Sequence, residues 1–423
     1  MLKRVYKSFL KSLVLLLISI LIGALALFAV YSLPTERIKA NIKTSENLYQ
    51  NNFIHNWDGN YRYGEIDHYT DYLIVDEAVC RKYENVFYNA LLNPHHSYTL
   101  TSDRENDGEY YFSLMTEDQK RADDYPRYWH GYLTYIIPGL FFYNVGGLKM
   151  MMTIVWFLFS MVFLCKLNTI DFRYALSFAF TILFISPITV SLNFQNADVL
   201  ILSILFSIVI LYGNEWLNRT SSYYLLFMLI GILTNYFDFL TYPLLTWAFA
   251  LSVFFIMNPY DLKESVKKMI IYSASWVVGY GGMWAGKWVL ASLITDYDVF
   301  GNVQEAILCR ALGMGEDLSV SRIIEVTLDS INNPPIVSLF LLSFLSIIVI
   351  SVLSSKKKPI TKEPKYCLGI FIIIALAPVA WALVLRNHYV THQMLEYRTL
   401  AVSFLAAQLI IIKACSYFRK KHY

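Results

Sequence analysis

The chain has 423 residues, 56% of them hydrophobic and only 16% charged, against about a quarter charged in a typical soluble domain. That balance excludes a disordered chain, a collagen-like repeat and a small disulfide scaffold, and it points to a membrane protein. A formal net charge of +3, with no basic block interleaved with aromatics, leaves no footprint for a nucleic-acid partner.

At about 20 apolar residues per helical crossing, ten crossings would use roughly 200 residues and leave room for one sizeable domain outside the bilayer. Lys3, Arg4, Lys7 and Lys11 precede an apolar run over 12–33. That run is too long for the apolar region of a signal peptide, so it predicts a retained first span. Further runs lie near 146–165, 174–193, 197–213, 223–240, 241–257, 269–294, 335–353, 366–385 and 399–412. The predicted fold is therefore an all-α polytopic membrane protein of about ten transmembrane helices. Residues 1–33 form the first span, and 34–139 a long extracytoplasmic loop with acidic and aromatic motifs and juxtamembrane helices. Residues 140–423 form a nine-span bundle with a second extracytoplasmic loop at 295–334.

Basic residues in alternate short loops set the orientation. Lys166 and Arg173, then Arg219, then Lys263, Lys267 and Lys268, then Lys356 to Lys358, Lys362 and Lys365, and finally Arg419 to Lys421 fall on one side with the basic amino terminus. Both termini are then cytoplasmic, the location is the bacterial cytoplasmic membrane, and the long loop lies outside. Seven of the eight histidines fall on that outer side, which places the expected chemistry there too.

Within the long loop, the spacing of Tyr72, Val75, Val79 and Val86 predicts a helix over 67–90, ended by Asn93-Pro94. The polar stretch 101–124 reads as loop. The aromatic stretch 129–142, with Pro138, predicts a helix in the membrane interface or a short re-entrant segment. Five cysteines are too few for a disulfide framework. Cys80 and Cys309 share the outer side, so one bridge or two separate thiols remain open.

Charged and amide groups in or beside spans are the informative ones, because burying them costs several kcal/mol unless they are paired or hydrated. Asp198 opens the fourth span, Asn235 and Asp238 close the fifth, and Lys287 sits about two turns below the outer end of the seventh. Arg386, His388, His392, Glu396 and Arg398 crowd the last outer turn. Singly, each reads as a cap, a snorkelling chain or a structural ion pair. Together they mark one layer.

The loop adds Asn56-Trp57-Asp58-Gly59-Asn60 and Asp67-His68-Tyr69-Thr70-Asp71. Asp67 and Asp71, four apart, would share a helix face and hold one proton or a divalent cation; a solvated acidic face is the other reading. Tyr125-Pro126-Arg127-Tyr128-Trp129-His130-Gly131-Tyr132 follows. Arg127 there suits phosphate, and the rings suit a sugar or an interfacial belt. Arg310 ends an amphipathic stretch and is a further phosphate candidate. The four-residue spacing of His388 and His392 lacks an adjacent glutamate and an evident third ligand. Hydrogen bonding to phosphate or substrate is preferred over a metal, and metal dependence stays open.

With these residues in place, the chain resembles the GT-C superfamily of integral-membrane glycosyltransferases, in particular its bacterial members. The likeness rests on a first span followed at once by a long outer loop with Asp67-His68-Tyr69-Thr70-Asp71. It rests also on the Tyr125 to Tyr132 motif, on Asp238-Phe239-Leu240-Thr241, and on Asn387-His388 through His392 to Tyr397-Arg398. The resemblance implies a polyprenyl-phosphate sugar donor, a glycan or other cell-envelope acceptor, and an acidic base from the first outer loop: Asp67, then Asp71, then Asp58.

The chemistry is coherent on its own terms. A phosphate leaving an anomeric carbon needs positive charge rather than a protonated acid, whereas a glycosidase needs two placed carboxyl groups. One carboxylate would take the acceptor proton, and Lys287, Arg398, Arg310 or Arg127 would stabilise the departing phosphate. His130, Asp198, Asp238, His388 and His392 are expected to bind substrate. The alternative is a transporter or flippase of lipid-linked glycans, which would carry buried charge along a full path rather than at one face.

Overall fold

The described parts of all ten apolar runs are mostly helical in the computed structural model, which describes residues 2–49, 54–56, 62–98, 107–116, 121–238, 240–312, 317–354 and 367–418.

 Five of the helices are long and apolar enough to cross a membrane, and strand is confined to two short ribbons. The chain is thus an all-α protein of membrane type.

The first long helix, α1 (Leu2–Tyr31), leads into a lobe made of α2 (Thr35–Lys43), the strand β1 (Ile54–Asn56) paired antiparallel with β2 (Glu65–Asp67), α3 (His68–Val79), α4 (Val86–Leu92), β3 (His95–His96), α5 (Asp107–Thr116) and β4 (Ala122–Asp123), which pairs with β3. The helix predicted over 67–90 is in fact two. Asp67 stands outside α3 as its N-cap, the helix stops at Cys80, and Asn85 caps a fresh start at α4 by accepting from the Phe87 N–H. Both capping side chains compete with continued helix for backbone donors. Asn93 ends α4 in the left-handed region, where Asn is tolerated. The predicted loop over 101–124 contains α5, because Tyr111, Leu114 and Met115 bury one of its faces. The aromatic stretch becomes α6 (Leu133–Phe142), buried through Leu133, Ile136, Ile137 and Leu140.

The bundle follows with α7 (Val145–Ile170), α8 (Phe172–Phe184), α9 (Pro187–Leu192), α10 (Phe194–Thr220), α11 (Tyr223–Phe237), α12 (Leu244–Met257) and α13 (Leu262–Ile294). The run predicted as one span over 174–193 is broken. Ser186 takes a φ of 67° ahead of Pro187, and proline cannot donate to the preceding turn, so α8 ends and α9 begins at an angle. The α11 and α13 helices approach until their backbones nearly touch: a Cβ on Gly231 would lie 2.1 Å from the Trp276 carbonyl, and one on Gly279 would lie 2.1 Å from that of Met228. Small residues permit this close packing between apolar helices.

Beyond α13 come α14 (Val299–Leu312), α15 (Val320–Ile331), α16 (Pro334–Ser354), α17 (Cys367–Val384), two short helices α18 (Arg386–Thr391) and α19 (Gln393–Glu396), and α20 (Ala401–Phe418). The helix ends next to the lobe are tied by polar contacts across the bundle, and that end is called the lobe end below.

Candidate functional site

Three groups of polar side chains gather at the lobe end. The first sits where the lobe meets α10. The Asp67 carboxylate accepts from the Thr70 backbone N–H at 3.0 Å, the Thr70 hydroxyl at 2.5 Å and the Gln195 amide at 3.1 Å. Asn193 donates to the Asp67 carbonyl at 2.9 Å, fixing the start of α3 against the break before α10. Asp71, one turn on, faces Lys149 of α7 at 2.5 Å and accepts from the Phe194 backbone N–H at 2.8 Å. The two carboxylates thus have separate partners rather than a shared proton or cation. Burial raises the Asp71 pKa, against the lowering pull of Lys149.

The second group lies under the lobe and takes in Lys287 and His130 from the residues singled out in the sequence. Asp76 meets the His96 ring Nδ1 at 2.5 Å and accepts from the His96 backbone N–H at 2.6 Å. Its neighbour Glu77 lies 3.0 Å from Nδ1 of His130 and accepts from the Tyr132 hydroxyl at 2.8 Å. Lys287 is fully buried beside them, donating to Asn93 Oδ1 at 2.7 Å and packing over Trp129. Trp129 donates to the Met283 carbonyl at 2.7 Å, and the Gly131 N–H donates to the Tyr236 carbonyl at 2.8 Å. A Cβ on Gly131 would fall 2.3 Å from the Tyr236 ring, which is why the turn needs glycine there. Tyr128, Trp129 and Tyr132 are therefore core residues wedged between lobe and bundle, with His130 at a φ of 54°.

The third group joins α6, α10, the turn between α11 and α12, the end of α8 and the segment ahead of α20. Tyr135 donates to Asp198 at 2.7 Å. Asp238 holds a tight turn by accepting from the Leu240 and Thr241 backbone N–H groups and the Thr241 hydroxyl, and Leu240 is set at a φ of 74°. The ring Nε2 of His388 reaches the Leu240 carbonyl at 2.7 Å and Glu396 at 3.3 Å. Glu396 also accepts from Trp381 and Thr399. Arg398, fully buried, donates from Nε to the Ile185 carbonyl at 3.0 Å, satisfying a backbone acceptor freed by the α8 break.

Beside this third group opens a cavity of about 350 Å³ lined by Arg127, Asn302, Glu305, Cys309, Asn387, His388, Thr391 and His392, with Ala306. Arg127 stacks over Tyr125 at 4.6 Å and donates to Asn302 at 3.3 Å. Its backbone carbonyl accepts from both Trp284 and Trp288 of α13, at 2.5 and 3.0 Å. Two indoles on one carbonyl hold the guanidinium's base in place. The His388 and His392 rings lie 4.6 Å apart. The strand β2, which ends at Asp67, packs against α19, which follows His392.

Of the residues singled out from sequence, Arg127, His388 and His392 therefore share the cavity. Asp198, Asp238 and Arg398 belong to the third group, and Asp67 and Asp71 to the first. Lys287 and His130 belong to the group under the lobe. Asp58 lies outside the described residues, as does the side chain of Arg310, which falls on α14. Glu305 and Asn302 line the cavity but were not singled out, and Asn387, quoted only within the last motif, lines it too. The signal was present, since Asn302, Glu305 and Cys309 recur at helical spacing on one face of α14. Cys80 and Cys309 are separate thiols. Among the described residues, no three His, Cys, Asp or Glu side chains are grouped to hold a metal ion.

Compared with known proteins, the chain matches no family model, no curated protein and no solved structure. Its own geometry carries the functional reading.

Proposed function

We propose that the protein is a membrane glycosyltransferase of the GT-C type, moving a sugar from a polyprenyl-phosphate donor to an exported cell-envelope acceptor. In this reading all ten apolar helices belong to the membrane bundle, both termini are cytoplasmic, and the lobe end faces outward. The observation that carries it is the convergence of Arg127, His388 and His392, from segments far apart in sequence, on one cavity at the end of an apolar bundle.

The chemistry follows from what each group can do. Arg127 and the two imidazoles supply donors for a phosphate oxygen. As the bond from the anomeric carbon to the phosphate oxygen breaks, that oxygen keeps the electron pair, and the donors stabilise its charge. The acceptor hydroxyl oxygen forms the new bond and gives its proton to a carboxylate. Asp67 suits that role better than Asp71. Its partners are the uncharged Thr70 and Gln195, whereas Asp71 is committed to Lys149. Asp71 then positions α3, and Arg398 and Asp238 hold the helix breaks that shape the cavity wall.

A transporter or flippase asks for charge along the whole bundle. Among the described residues the buried charged side chains sit at the lobe end, which favours chemistry at one face. The test is purified protein in lipid with a polyprenyl-phosphate sugar: Asp67→Asn is expected to cut turnover by about 10²–10⁴-fold, the usual worth of a general base, with the folded fraction intact. Full turnover in that variant removes Asp67 from the mechanism.

A further inference from the structure

The helix α15 divides its surface three ways. Ile323, Val326 and Ser330 are buried, packed against Ala382 and Tyr389, with Thr327 and Tyr389 sharing a hydroxyl contact of 3.0 Å. A second sector is polar: Ser321, Arg322, Glu325 and Asp329, with Arg322 and Glu325 paired at 2.8 Å. Between the two runs a stripe that no described residue covers. Val320, Ile324 and Leu328 are 50%, 53% and 55% exposed, and their four-residue spacing puts them on one face.

What should cover the stripe follows from where it leads. The α15 helix joins α16 through Asn332 and Asn333 alone. Asn333 braces both sides of that turn, donating to the Ser330 carbonyl at 2.8 Å and accepting from the Ile336 N–H at 3.1 Å. The α16 helix is itself long and apolar enough to cross a membrane, and it turns Val337, Leu341 and Leu345 outward. The apolar exposed surface of α15 therefore continues into a surface that lipid would cover. An apolar stripe flanked by a charged sector is the pattern of a helix lying in the plane of the bilayer interface.

We infer that α15 is an interfacial helix, with Val320, Ile324 and Leu328 resting in the acyl boundary of the leaflet at the lobe end and Arg322, Glu325 and Asp329 at headgroup level. The inference needs only that the chain is a membrane protein, not that it transfers sugar. Its consequence for the site is direct. Through Tyr389, α15 supports α18, which supplies His388 and Thr391 to the cavity wall, so the cavity is held at headgroup depth, where a lipid-borne group would present itself.

The test places an environment-sensitive NBD fluorophore on a cysteine at each sector of the full-length chain in phosphatidylcholine nanodiscs, with the unsubstituted chain labelled in parallel as background. In Ile324→Cys and Leu328→Cys, lipids carrying a nitroxide near the glycerol end of the acyl chain should quench the fluorophore at least about twofold, as for a side chain at the acyl boundary. In Glu325→Cys and Asp329→Cys, aqueous iodide should quench it instead. Iodide quenching at all four positions would overturn the inference in favour of a water-facing stripe. Protection of 324 and 328 from both quenchers would overturn it in favour of a protein partner or a second copy. Using two positions per sector keeps the result readable if one variant does not fold.

Discussion

The polar group under the lobe and the cavity beside α18 are built from the same residue types but to opposite ends. Under the lobe, Asp76 is matched to His96 and Glu77 to His130 and Tyr132, with Lys287 bonded to Asn93 close by, and all are buried. At the cavity, Arg127, Glu305 and His392 stand on the wall of an open space. The first arrangement joins lobe to bundle, because breaking a buried charge pair leaves a costly uncompensated charge. The second lines an open cavity instead. Charge in a membrane protein therefore points to function only once its partners are known.

The largest expected effect tests the structural half of that contrast. Glu77→Ala removes the carboxylate shared by His130 and Tyr132, and thermal unfolding in detergent should show a loss of about 3–5 kcal/mol. A variant as stable as the parent would dissolve the distinction. Arg127→Ala should do the reverse, costing unfolding about 1 kcal/mol or less for its bond to Asn302 and its contact with Tyr125, while raising the donor's KM by roughly tenfold or more through loss of a charge-assisted contact. Equal losses in stability and donor use would return Arg127 to the structural class.

Thiol chemistry sharpens the same comparison at lower cost. Burial pushes the Cys80 thiol far above its usual range, whereas Cys309 lines the cavity, and reactivity follows the thiolate and its access. Maleimide followed by peptide mass mapping should modify Cys309 and spare Cys80; the opposite pattern would place the opening on the wrong side of the lobe.

The smallest effect concerns Asp71. Burial holds its folded-state pKa above the unfolded value of 3.8, so its contribution to stability is full below that pH and is lost as pH rises through the folded value. The slope from one such group is at most about 1.4 kcal/mol per pH unit. Asp71→Asn should flatten the decline in unfolding free energy above pH 3.8. An unchanged profile would mean that Lys149, not burial, governs the site.

What could be read from the chain alone was whatever depends on local composition. Apolar runs such as 12–33 and 335–353 specify helices in lipid because no other backbone form satisfies its own hydrogen bonds there, and these two are helical as α1 and α16. Punctuation was harder to read. The N-cap at Asp67, the second start at Asn85 and the break at Ser186 and Pro187 turn on one or two residues whose competition with the helix is settled by neighbours. Partnership could not be read at all. Nothing in the spacing of Asp71 and Lys149, of Glu77 and His130, or of Arg398 and Ile185 announces that they meet, since each pair is joined only when helices far apart in sequence pack. The residue types were present in the sequence, but packing decided which of them are neutralised and which still face an open cavity.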